Sequence, residues 1–167
     1  MSVASAQSLA FPRLLTTHHR RLLATVAESP LERHVIFTGG TAVAAVYYGH
    51  RYSKDPGLFS SRPLDAGLLL PWQRRVTRLG FRVERQILGA RHRDLVTPPR
   101  ARTAVRVDCV ECPFEPIEPR RLVPAIGLRV DSLLDMAVNT VHAVTDRTEA
   151  KTFVDLSARF QHHPTWQ

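Results

Sequence analysis

Residues 34–37 form a short run of β-branched and aromatic side chains, closed by Thr38-Gly39-Gly40 and followed by the alanine-rich residues 41–48. A β-type run, a glycine pair and a helix former in direct succession read as strand, turn and helix. No other stretch constrains the fold as much, because a strand feeding straight into a helix implies a sheet with helices packed on it. The rest of the chain repeats the theme. Residues 6–28 place Leu9, Leu14, Leu15, Leu22, Leu23 and Val26 at helical intervals, predicting an amphipathic helix with Pro12 near its start. A second short strand is expected over 55–60, shortened or confined to an edge by Pro56.

Residues 64–79 carry Leu64, Leu68, Leu69, Trp72, Val76 and Leu79 every three or four positions, with Gly80 as a stop. This predicts a helix that Pro71 kinks or begins. Strands are expected over 81–88, 94–97 and 104–110. In the last of these, alternation sends Val105, Val107 and Cys109 to one face and Arg106, Asp108 and Val110 to the other. Residues 113–124 read as a proline-rich crossing. Leu128-Arg129-Val130 then leads to Asp131-Ser132 as a helix cap, a helix to about Val144, and a final helix over 149–160. The expected fold class is α/β (α+β), a mixed sheet flanked by helices with a C-terminal helical segment. One domain over 1–167 is expected, with its core at 34–112 and its helical part at 127–160.

The length of 167 residues suits one domain, and 44% hydrophobic with 23% charged residues is the balance of a globular chain. No apolar run reaches the roughly 20 residues that a membrane helix needs, and the start lacks a secretory pattern, so a cytoplasmic protein without membrane contact is expected. The net charge is +8, and Lys54 and Lys151 are the only lysines. Arginine clusters at Arg74/Arg75/Arg78, Arg91/Arg93 and Arg120/Arg121 suit a polyanionic partner, although the same composition also describes an ordinary solvated surface. With aromatics at 7%, no stacking platform of a basic RNA-binding domain is visible. Cys109 and Cys112 form a single CxxC on a strand. Their separation points the thiols apart, so buried free cysteines are expected rather than a zinc site. No histidine pair has metalloprotease spacing.

A glycine pair at a helix start exposes backbone N–H groups where a triphosphate can sit. Asp55 on the following strand and Asp108 on a later one would bring two carboxylates beside that anion. This is the logic of metal-assisted nucleotidyl transfer, in which a divalent ion neutralises phosphate and carboxylates fix it.

Taken in order, GGTAVAAVYYGHRYSKDPGLFS, VRVDCV and RVDSLLDMAVNTVHAVTDRTEAKTFVDL resemble the spaced blocks of the AbiEii/AbiGii nucleotidyltransferase toxin family, across nearly the whole chain. The resemblance implies a polymerase-β-like nucleotidyltransferase core. It implies Gly39, Gly40 and Thr41 as triphosphate contacts, Asp55 and Asp108 as metal ligands and catalytic acids, and Lys151 as a catalytic cation. Arg51, Ser53 and Lys54 are further nucleotide-contact candidates. It also implies an NTP substrate, Mg2+ or Mn2+, a tRNA or protein acceptor, and a cognate antitoxin. The chain departs from the family pattern at three places: Gly57 replaces the second Asp of D-x-D, Thr140 replaces a helix lysine, and Thr152 replaces an aspartate, while Lys151 and Asp155 are kept. Asp65 is a nearby acid that could substitute. Loss of one oriented electrostatic contributor can lower a rate by roughly 10² to 10³. The expectation is therefore an impaired transferase, or a silent nucleotide-, RNA- or partner-binding module on the same fold.

Overall fold

The strand Val35–Thr38 (β1) is fully buried and passes directly into the short helix Gly39–Ala42 (α2), which widens into a π-helical turn over Val43–Tyr48. In this computed structural model, residues 8–89, 91–112, 114–146 and 150–162 are described. Among them the remaining strands are β2 (Gly57–Ser60), β3 (Arg82–Leu88), β4 (Arg91–Thr97), β5 (Val105–Glu111), β6 (Arg121–Val123) and β7 (Leu128–Val130). The other α-helices are α1 (Thr17–Ala27), α3 (Ala66–Arg78), α4 (Leu133–Asp146) and α5 (Ala150–His162).

The strands form one mixed sheet in the order β3-β4-β5-β2-β1-β7-β6. β3, β4 and β5 run antiparallel, β2 joins β5 in parallel, and β1 lies antiparallel to β2 and parallel to β7. The register divides the sheet into two chemically different faces. Phe37, Leu58 and Cys109 lie in line across β1, β2 and β5, and join Val35, Val96, Val107, Leu128 and Val130 in the core with Leu22, Leu23 and Val26 of α1 and Leu69, Trp72 and Val76 of α3. The opposite face carries Gly57, Phe59, Arg106, Asp108 and Val110, and is roofed by residues of α4 and α5.

Several boundaries differ from expectation. The first helix begins at Thr17, because the Thr16 side chain accepts the His19 N–H as a cap; Pro12 opens only a 3-10 turn, Pro12–Leu14. Residues 1–7 lie outside the described part. Pro56 shortens β2, yet β2 sits in the middle of the sheet and not at its edge, because the proline precedes the strand's paired residues. Within the proline-rich crossing, residues 121–123 pair with β7 as β6. The helix after β7 starts as expected, with Ser132 Oγ accepting the Asp135 N–H. Both cysteines are free, Cys109 buried and Cys112 half-buried; burial pushes the Cys109 thiol up to about 12, so it is inert.

Candidate functional site

The glycine bend opens a cleft of about 360 Å3. Gly39 has φ +75°, a backbone conformation that side-chain-bearing residues rarely adopt. Gly40 is needed for a different reason. A Cβ there would collide with Arg51 Nη2 and lie 2.8 Å from Asp155 Oδ2. The second glycine therefore admits an ion pair that bridges the first half of the chain to α5.

Beyond the π turn, Gly49 adopts φ +64° and ends it, and residues 50–56 form a loop fastened from three sides. His50 Nε2 lies 2.7 Å from Asp155 Oδ1, and Arg51 grips both carboxylate oxygens through Nε and Nη2 at 2.6 and 2.7 Å. Burial pushes the Asp155 carboxyl up, but the hydrogen bonds from His50 and Arg51 outweigh it and hold the group below its ordinary value. From below, the Thr41 hydroxyl donates to the Asp55 carbonyl at 2.7 Å and lies 2.8 Å from the Ser53 hydroxyl. Thr41 has one proton and the carbonyl takes it, so the Ser53 hydroxyl donates in return. The third fastening is His19, whose Nε2 donates to the Lys54 carbonyl at 2.8 Å. Burial pushes the His19 pKa down, leaving a neutral ring that carries its proton on Nε2.

These fastenings leave Lys54 exposed and Asp55 half-exposed on the cleft wall. Asp55 and Asp108, far apart in the chain, thus line one cavity together with Gly39, Gly40, Arg51 and Ser53. Thr41 is buried behind the bend and acts on the loop rather than lining the cleft. Lys151 and Thr152 belong to α5, but their side chains fall outside the described residues. Asp65 does not stand in for a missing acid: its carboxylate caps α3, accepting the Leu68 N–H at 2.9 Å, and it is not among the residues lining the cleft.

Asp108 stands opposite Gly57 on the neighbouring parallel strand, so position 57 faces the same cavity with no donor atom. Thr140 lines the cleft too, and its hydroxyl turns back to the Met136 carbonyl at 2.7 Å; no cation is supplied from that position. Instead the acids meet arginines of the sheet. Arg93 Nε and Nη2 approach the two Asp108 oxygens at 2.8 and 3.3 Å, while Arg106 reaches Asp55 Oδ2 with Nη2 at 3.0 Å and Asp108 Oδ2 with Nε at 3.7 Å. Among the described residues no group of three or more His, Cys, Asp or Glu side chains could hold a metal ion. Both carboxylates are engaged by guanidinium and a glycine stands beside them, so a divalent ion could take them only in competition with Arg93 and Arg106.

Sequence reasoning passed over Arg93, His50 and Asp155 as site residues. Arg106 was in reach, since period-two alternation sets it on the face of Asp108. A second cavity of about 280 Å3 adjoins the first across Phe59 and Asn139 and is lined by Phe114, Ile117, Val138 and His142.

The fold has solved relatives. The crystal structure of JHP933 from Helicobacter pylori aligns with a TM-score of 0.64 at 15% identity, covering 93% of this chain and 69% of that one. A crystal structure of a candidate nucleotidyltransferase from H. pylori aligns with a TM-score of 0.61 at 17% identity, covering 89% and 67%. At such identities the likeness speaks for the fold. No curated protein sequence matches the chain. The model of the family described as nucleotidyl transferase AbiEii toxin, type IV TA system, matches residues 21–165, and the chain therefore belongs to the AbiEii nucleotidyltransferase toxin family.

Proposed function

We propose that this protein binds a nucleoside triphosphate in the cleft, with its polyphosphate at the Gly39-Gly40 bend and against Arg51, Ser53 and Lys54, and that its transfer of a nucleoside monophosphate to an acceptor hydroxyl is impaired. The observation that carries this reading is the shared cavity: the diglycine bend, Asp55, Asp108 and several cations all line it. The bend offers backbone N–H groups at a helix start, and the guanidinium and ammonium groups complement an anion. The adjoining apolar cavity gives a base or acceptor somewhere to lie. For the family, tRNA or a protein is the acceptor class and an antitoxin the partner class that we carry over.

Impairment follows from the donor set. The family places a divalent ion on acids at this site; here position 57 is a glycine and supplies none. A second reading, a silent binding module on the same fold, is favoured by the arginines that already neutralise Asp55 and Asp108.

The test is incubation of the purified protein with each labelled NTP, Mg2+ or Mn2+, and total tRNA, alongside Gly57→Asp with and without Thr140→Lys. A Cβ at 57 would sit 3.3 Å from the Thr38 carbonyl oxygen, so the strand must give by only a few tenths of an ångström. Transfer by the variant about 10²-fold above the parent is the expected outcome. A folded variant that stays silent, with no NTP bound to the parent, would remove the cleft assignment.

A further inference from the structure

Arg106 stands between the two acids that the family uses for metal. Its Nη2 is 3.0 Å from Asp55 and its Nε is 3.7 Å from Asp108, whose two oxygens also face Arg93. Two carboxylates and two guanidinium groups cancel, so the cluster holds no excess negative charge to draw in a divalent ion. An added ion would have to displace Arg106 and then sit within a few ångströms of both positive side chains, where repulsion is strong. Position 57, which would supply the missing donor, is a glycine directly across from Asp108. Arg106 nevertheless keeps capacity to bind: its Nε is buried toward Asp108, but the side chain is 29% exposed and lines the cleft wall. A guanidinium has five N–H donors in a rigid fork, so one edge can hold Asp55 while another takes a phosphate oxygen.

We infer that Arg106 is the resident cation of this cleft: its guanidinium occupies the place of the divalent ion between Asp55 and Asp108, and the polyphosphate of a nucleotide is bound there without metal. This deepens the nucleotide reading above and rests on it for the ligand, but the exclusion of metal is a separate property of the side chains.

The experiment has two arms, run on the parent, Arg106→Gln and Arg106→Lys, with circular dichroism to establish folding. In the first, ATP binding is measured by calorimetry in EDTA and again in Mg2+. The parent should bind equally in both, and Arg106→Gln should bind about tenfold more weakly in EDTA, the effect of one lost charge-assisted hydrogen bond. In the second, Mn2+ binding to the protein alone is followed by electron paramagnetic resonance. Arg106→Gln should take up Mn2+ at least about tenfold more tightly than the parent, because two carboxylates are then left with one cation fewer. Arg106→Lys, which keeps the charge without the fork, should exclude Mn2+ like the parent.

The inference is overturned if the parent needs Mg2+ to bind ATP, or if it binds Mn2+ as tightly as Arg106→Gln. Should the parent bind no ATP in either buffer, the nucleotide reading fails, and the Mn2+ arm alone then decides whether Arg106 excludes metal. Where Arg106→Gln does not fold, the same comparison is made with Arg106→Met, which keeps the length of the side chain and removes its charge: tighter Mn2+ uptake than the parent supports the inference and equal exclusion counts against it.

Discussion

Asp155 is 6% exposed and accepts hydrogen bonds from both His50 and Arg51, fixing the loop that borders the cleft. Because its folded-state pKa lies below the ordinary carboxylate value, the stability it contributes is fully present above the unfolded pKa. That contribution is lost as pH falls through the folded value. Asp155→Asn should therefore lose about 3 kcal/mol at neutral pH, the usual effect of stripping one partner from a buried ion pair. Urea unfolding at pH 7 and again well below pH ~4 checks this: the gap between parent and variant should close in acid, where both carry an uncharged group. A gap that stays constant would show that shape and not charge holds the loop. The sequence marked Asp155 only as a retained residue of a motif. Its role could not be read locally, since Arg51, His50 and Gly40 meet it only after α5 folds back over α2.

At the scale of elements, the apolar seam between α1 and α3 contains a buried polar contact. Trp72 is fully buried, and its indole N–H donates to Thr25 Oγ at 3.0 Å, while the Thr25 hydroxyl donates to the Leu22 carbonyl at 2.6 Å. Thr25→Val keeps the shape and strands the buried indole N–H, which should lower stability by about 1–3 kcal/mol. Trp72→Phe removes that donor, so adding Thr25→Val to it should have a smaller effect than Thr25→Val alone; a double-mutant cycle on denaturation midpoints measures the difference. The helices themselves were legible, because Leu22, Leu23 and Val26, or Leu69, Trp72 and Val76, mark one face by spacing alone. Their ends were less so. Thr16 caps a helix that apolar periodicity would have begun much earlier, and β6 hides between prolines because a three-residue strand has too few alternations to register.

For the molecule as a whole, the sheet order sets which parts open together. β2 has only four residues, yet it lies between β1 and β5 and has no free edge. Amide hydrogen exchange at Phe37, Leu58 and Cys109 should thus proceed only through global unfolding, with protection equal to the full unfolding free energy. The hairpin of β3 and β4, with β3 at the sheet edge and Ile87 68% exposed, should exchange through smaller openings. Equal protection in both regions would contradict the strand order.

The sequence by itself determined the local units: strand, glycine turn and helix at 35–48, the amphipathic helices, the alternation that turns Asp108 away from the core, and the family blocks. These are properties of neighbours in the chain, carried by dihedral preferences and by periods of two and 3.6 residues. Only the tertiary structure decided that β2 is interior, that Thr41 fastens a loop from behind, and that Asp65 is a cap. It alone also showed that Arg106 lies between Asp55 and Asp108. Strand pairing and ion pairing join residues remote in sequence, and their partners follow from which buried faces and charges can be satisfied together, a condition that no local pattern records.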